Sequence, residues 1–183
     1  MNRYVAFLRG MNLGGRRIKN EELRAEFEAL GFAEVACFRA SGNVVFVADE
    51  GGEAELTQAI EAGLGEALGY TVPVFLRAAE ELSAIAAHRP FDPGLMDASK
   101  GKLQVALLPD EPGIAAQKQV LWHSGDEDRL AVEGRQLYWL PSGGISESDL
   151  DLKTIEAAVG PWTMRTKATI DQIVFKYLEE QRA

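Results

Sequence analysis

The residues in this chain with the right types and spacing to hold a ligand form one run, Arg9-Gly10-Met11-Asn12-Leu13-Gly14-Gly15-Arg16-Arg17-Ile18-Lys19. The run carries three glycines, four cations and no acid, inside a chain whose net charge is −9. A glycine-rich backbone that leads into a helix N-terminus can turn several amide N–H groups toward one anion, and the helix dipole favours negative charge at that point. Guanidinium groups add planar, forked donors for phosphate or carboxylate. The chemistry on offer is therefore anion recognition. The run lacks the Gly-Lys-Ser/Thr ending of a Walker loop and the spacing of a dinucleotide-binding Gly-x-Gly-x-x-Gly turn.

Two elements must position this run. Tyr4-Val5-Ala6-Phe7-Leu8 reads as a strand leading into it. A helix leads out, capped by Asn20, with Glu21 and Glu22 in its first turn and Leu23, Phe27 and Leu30 on one stripe. Gly31 supplies a left-handed stop. Val35–Phe38 is a second strand, Ser41-Gly42-Asn43 a turn, and Val44–Val47 a third strand. A second helix runs from about Glu53 to Leu68, weakened by Gly63 and Gly65, and Val72–Leu76 is a fourth strand whose Pro73 belongs on a sheet edge.

Strand-helix-strand-strand-helix-strand is the order of the split βαβ, or ferredoxin-like, plait. Its first two strands run in the same direction, so their C-terminal ends share one rim. The Arg9–Lys19 loop and the Arg39–Asn43 turn are thereby expected side by side. Arg9, Asn12, Gly14, Gly15, Arg16, Arg17, Arg39, Ser41 and Asn43 form the candidate site. A purely structural account of the turn stands beside this one, because Gly42 and Asn43 also suit a tight hairpin that needs positive φ.

The remainder of the chain reads as a connecting helix from about Ala79 to Ala87, a turn-rich seam around His88–Gly94, and a second strand-helix-strand-strand-helix series. Leu103–Leu108 is its first strand, and Gly134-Arg135 is a two-residue hairpin turn. Ser146 with Asp149 is expected to cap a helix carrying Leu150, Ile155 and Val159. Its fourth strand is either Trp162–Arg165 or missing. A final helix places Ile170, Ile173, Val174, Tyr177 and Leu178 at helical spacing. The expected architecture is α+β, with two βαββαβ plaits packed together and the second irregular at its C-terminal end. Residues 1–77 form the first subdomain, 78–101 a connecting helix and linker, and 102–183 the second plait with the C-terminal helix.

Composition narrows the function. The chain has 183 residues, 46% hydrophobic and 26% charged, which suits a globular protein burying about 70% of its unfolded surface. No apolar run approaches the ~20 residues that span a bilayer, and Met1-Asn2-Arg3 leads straight into a strand, so neither a membrane partner nor a signal peptide is expected. A single cysteine, Cys37, rules out an internal disulfide and points to a reducing compartment, the cytoplasm. The acidic balance disfavours nucleic acid without excluding a local basic patch. His88 and His123 stand apart from any acid or nucleophile, no zinc spacing occurs, and no catalytic set, metal site or cofactor emerges. Trp122, Trp139 and Trp162 are expected in the core or between the halves. A second glycine-rich stretch, Pro141-Ser142-Gly143-Gly144-Ile145-Ser146, is either an anion cradle or a loop carrying a helix cap. RNA-recognition plaits expose aromatics on the central strands, where this chain has Tyr4, Phe7 and Phe46.

At Tyr4–Gly15, Glu22-Leu23-Arg24, Leu30-Gly31-Phe32 and Ser41–Phe46 the sequence resembles the bacterial family known as domain of unknown function 1697. The resemblance covers nearly the whole chain, most specifically the first fifty residues. It implies two ferredoxin-like halves and no established activity. Family members end with Thr-x-Arg-Asn-x-x-Thr before the last helix. Here Thr163-Met164-Arg165-Thr166-Lys167-Ala168-Thr169 keeps all but the asparagine. The resemblance implies signature roles for Arg9, Gly10, Asn12, Gly14, Gly15, Ser41, Gly42, Asn43, Arg165 and Thr169, and it adds Arg165 to the ligand-binding candidates, reaching the first-half patch across a cleft. A module that binds a small anionic ligand is the leading expectation. An enzyme using the same arginines and a protein-interaction domain are the alternatives. The sequence sets neither the ligand nor the oligomeric state.

Overall fold

The computed structural model describes residues 1–11, 18–39, 42–49 and 51–179. Asn12, Leu13, Gly14, Gly15, Arg16, Arg17 and Ser41 lie outside the described residues. The chain divides into two compact units, Met1–Ala84 with Ile173–Ala183, and Ile85–Gln172. The class is α+β, built on two four-stranded antiparallel sheets.

In the first unit β1 (Asn2–Leu8), β2 (Ala33–Cys37), β3 (Asn43–Ala48) and β4 (Val74–Ala78) form a sheet of order β2-β3-β1-β4. Helices α1 (Asn20–Ala29) and α2 (Glu53–Leu68) supply Leu23, Phe27, Leu56, Ile60 and Leu64 to the core beneath Tyr4, Ala6, Leu8, Val44 and Phe46. Phe46 is the hub, with ring centres 4.4 Å from Phe32 and 5.5 Å from Phe27. Gly63 belongs in α2 despite its cost to the helix, because a Cβ there would stand 2.7 Å from Leu30 Cδ2. Any larger residue there would push the end of the Leu30 side chain aside.

Local chemistry shifts several boundaries. Lys19, not Asn20, is the N-cap of α1, because Glu22 reaches back to accept the Lys19 N–H at 3.0 Å. Pro73 sits just ahead of β4, which lies on the sheet edge and, among the described residues, pairs with β1 alone. Arg77 on β4 is fully buried, its Nε 3.2 Å from Glu81 in the helix α3 (Ala79–Ala87) that follows without a break.

The second unit opens with a short helix absent from the sequence reading, α4 (Pro93–Ala98), capped by Asp92, whose carboxylate accepts the Gly94 N–H at 2.8 Å. Next come β5 (Gln104–Leu107), α5 (Ile114–Trp122), β6 (Asp128–Glu133), β7 (Gln136–Pro141), a 3-10 turn (Ile145–Glu147), α6 (Leu152–Val159), β8 (Thr163–Thr166) and α7 (Lys167–Val174), which runs on into a π turn (Phe175–Glu179). The fourth strand exists, and the sheet order is β6-β7-β5-β8. In sequence order within each unit the two sheets are identical. The register repeats as well: Val5 lies between Val45 and Arg77, and Val105 lies between Tyr138 and Arg165.

Two expectations fail here for local reasons. Asp151, not Ser146 with Asp149, caps α6, accepting the Thr154 N–H at 3.1 Å, because α6 begins only at Leu152 and Ser146 lies in the preceding 3-10 turn. Trp139 and Trp162 are core residues, but Trp122 is 86% exposed, since α5 turns Val120 inward and its last residue outward.

Candidate functional site

The rim is built by the chain ends of β1 and β2. Leu8 N–H donates to Gly42 O at 2.8 Å, and Phe38 N–H donates to Asn43 O at 2.8 Å. Gly42 has φ +68°, and a Cβ on it would stand 3.0 Å from both Leu8 Cβ and Met11 Cγ. That close approach, together with the left-handed backbone, requires glycine. The described flanks of the two loops are thus in contact.

Asn43 is fully buried, and its side-chain amide donates to Phe38 O at 3.0 Å. It closes the turn from inside and does not face outward. Arg9 leaves the sheet with its N–H donated to Pro73 O at 2.9 Å. Arg39 is exposed and holds φ +59°, a left-handed conformation costing a non-glycine residue about 1–2 kcal/mol. Its guanidinium carbon lies 5.4 Å from the centre of the Phe38 ring. Phe38 in turn meets Tyr177 edge-on, with ring centres 6.2 Å apart, and Lys176 Nζ lies 5.1 Å over the Tyr177 ring. Arg3 ties this segment down by donating to Tyr177 O at 2.9 Å, and it pairs with Glu34. Sequence reasoning missed the Phe38–Tyr177 pair, because Tyr177 merely continued a helical stripe in a segment far along the chain.

The neighbouring Cys37 is a half-buried free thiol. Its Sγ sits 3.4 Å from Asn20 O, and burial pushes the thiol up to about 11. The aromatic residues proposed for an RNA-facing sheet are buried: Tyr4 is 8% exposed, Phe7 and Phe46 0%. None offers a face for base stacking.

Arg165 belongs to the second unit, on β8. Its Nη1 donates to Thr163 Oγ1 and to Met164 O, each at 2.8 Å, and burial pushes the guanidinium down to about 10, so it stays cationic at neutral pH. Arg77 repeats the contact in the first unit, donating to Leu76 O at 2.8 Å. Thr166 accepts the Thr169 N–H at 3.2 Å, and the two hydroxyls are 2.9 Å apart. That is the geometry of a helix N-cap, a role threonine and asparagine both fill.

The glycine-rich loop at 141–146 is not an anion cradle. Gly144 N–H donates to Glu147 at 3.0 Å, so a carboxylate of the chain itself takes the amide. The cavity beside it, of 310 Å³, is lined by Glu127, Asp128, Glu147 and Asp149, which would repel an anion. Among the described residues no cluster of three or more potential metal ligands occurs, and no helix is long and apolar enough to cross a membrane.

The family described as "Protein of unknown function (DUF1697)" matches residues 1–138. This chain belongs to DUF1697. No curated protein matches it significantly. Among solved structures, this DUF1697 chain is similar to the conserved bacterial protein SP0830 from Streptococcus pneumoniae, with a TM-score of 0.75 and 21% identity, covering 98% of this chain and 99% of that one. At that identity the likeness establishes the fold of the DUF1697 chain and nothing about its chemistry.

Proposed function

We propose that the first unit binds a small anion, phosphate or carboxylate, at the rim where β1 and β2 end. The observation that carries the reading is the Leu8 N–H to Gly42 O bond of 2.8 Å, which joins the base of the cation-rich loop to the Arg39-bearing turn. Supporting it are the four cations and three glycines of residues 9–19 in a chain of net charge −9, and the left-handed backbone of Arg39. Residues in sparsely populated conformations persist where the surroundings hold them, and they cluster at ligand sites. Each unit is read as a ferredoxin-like plait, a reading that the shared strand order supports. The lone thiol of Cys37 favours a reducing compartment, the cytoplasm.

The test is thermal unfolding with inorganic phosphate or citrate, in the parent protein and in Arg9→Ala and Arg39→Ala. A ligand at a hundred times its Kd stabilises by about 2.7 kcal/mol. The expected result is a rise in Tm for the parent protein that either substitution cuts sharply. An equal rise in all three proteins removes the proposal.

A further inference from the structure

Beside the rim, still within the first unit, two rings meet edge to face between two cations, in the order Arg39, Phe38, Tyr177 and Lys176. Arg39 and Lys176 are exposed, the two rings are partly exposed, and Phe175 next to them is 60% exposed. Phe38 is bonded through its own N–H to Asn43 O, so the ring pair and the rim turn share one backbone junction. Tyr177 and Lys176 stand on the π turn, a helix irregularity often found at functional sites. A half-exposed ring suits stacking by a planar π-face, and cations beside the rings suit an anion attached to it.

From this arrangement we infer that the anion bound at the rim is the phosphate of a 5′-mononucleotide, whose base stacks on one ring of the Phe38–Tyr177 pair and meets the edge of the other. This deepens the anion reading and rests on it. A nucleotide presents an anion for Arg39 and a flat π-face for the rings in a single small molecule. A long nucleic acid fits less well, since a chain of net charge −9 repels an extended polyanion outside the basic patch.

The experiment is calorimetric titration of the full chain at low salt with ribose 5-phosphate, AMP and a single-stranded oligonucleotide. Stacking should make AMP bind roughly five- to hundredfold tighter than ribose 5-phosphate. Tyr177→Leu should erase that advantage and leave ribose 5-phosphate affinity unchanged, while Tyr177→Phe, which keeps the ring, retains it. Equal affinity for AMP and ribose 5-phosphate overturns the inference and leaves the anion reading standing. AMP binding that needs the rings but ignores Arg9→Ala and Arg39→Ala overturns the anion reading, and with it the assignment of the phosphate to the rim. An oligonucleotide that binds far more tightly than AMP replaces the mononucleotide with a polymer. No binding by any probe removes both.

Discussion

The two sheets close their rims with the same backbone bond, Leu8 N–H to Gly42 O at 2.8 Å in one and Leu108 N–H to Arg135 O at 3.0 Å in the other. What hangs from that shared closure differs. In the first unit residues 9–19 separate the strand from its helix and bring four cations and no acid. In the second, residues 108–113 suffice, with Pro109, Asp110, Glu111 and Pro112 and no cation. The hairpins differ in the same sense, since Gly134-Arg135 alone joins β6 to β7, and Arg135 Nη1 donates to Pro109 O at 3.2 Å. The second rim serves as an internal control: the fold needs neither the long loop nor its charge. Those features in the first unit call for an explanation outside folding, and anion recognition is one.

The comparison can be broken or sharpened at four points. The largest effect is expected at the matched arginines of β4 and β8. Arg77→Ala strands Glu81 and empties a fully buried site, so a loss of about 3–5 kcal/mol in urea unfolding is expected. Arg165→Ala should cost less, about 1.5–3 kcal/mol, because that residue retains some exposure. Equal losses would mean that the two registers are energetically interchangeable. Next, Gly42→Ala imposes a left-handed alanine with its Cβ 3.0 Å from Leu8 Cβ, a penalty of about 1–3 kcal/mol. Arg135→Ala at the matched position should stay within about 0.5 kcal/mol, since among the described residues positive φ without glycine occurs only at Glu34 and Arg39.

A smaller change is expected at the start of α7. Thr166→Ala should cost about 1 kcal/mol by removing the cap, and Thr166→Asn should restore it, which chemical denaturation can resolve. The smallest concerns Cys37. Its folded-state thiol titrates near 11 against a reference of 9.0, so the folded state holds its proton more tightly than the unfolded chain does. The stabilisation is complete below pH 9 and fades as pH climbs toward 11. Stability curves of the parent protein and Cys37→Ala should therefore differ most in slope across that window, and alkylation at neutral pH should be slow.

Regular, strongly patterned segments were legible from sequence. The bounds of α2 and α3 and the two-residue hairpin at Gly134-Arg135 followed from apolar spacing and turn chemistry. Caps were less so, because several polar residues compete at each helix start. Glu22 selects Lys19 as the cap of α1, and a 3-10 turn takes up Ser146, leaving Asp151 to cap α6. β8 is not legible in the sequence because Thr163-Met164-Arg165-Thr166 has no apolar alternation, and its strand state comes from pairing with β5. Nor could the inward or outward sense of Trp122 be read, since one tryptophan at a helix end carries no phase. For the candidate site, the meeting of two loop bases was legible through topology. The Phe38–Tyr177 contact was not, because it joins positions 139 residues apart through a tertiary placement that no local pattern encodes.

The Gly143-Gly144 segment carries a lesson about glycine-rich turns. With Glu147 bound back to the Gly144 amide, the loop is self-ligated, its counter-ion tethered three residues away at an effective concentration no dissolved salt can match. Such a turn should give no amide shift with added phosphate, which makes its amides an internal reference for a titration of the first-unit rim.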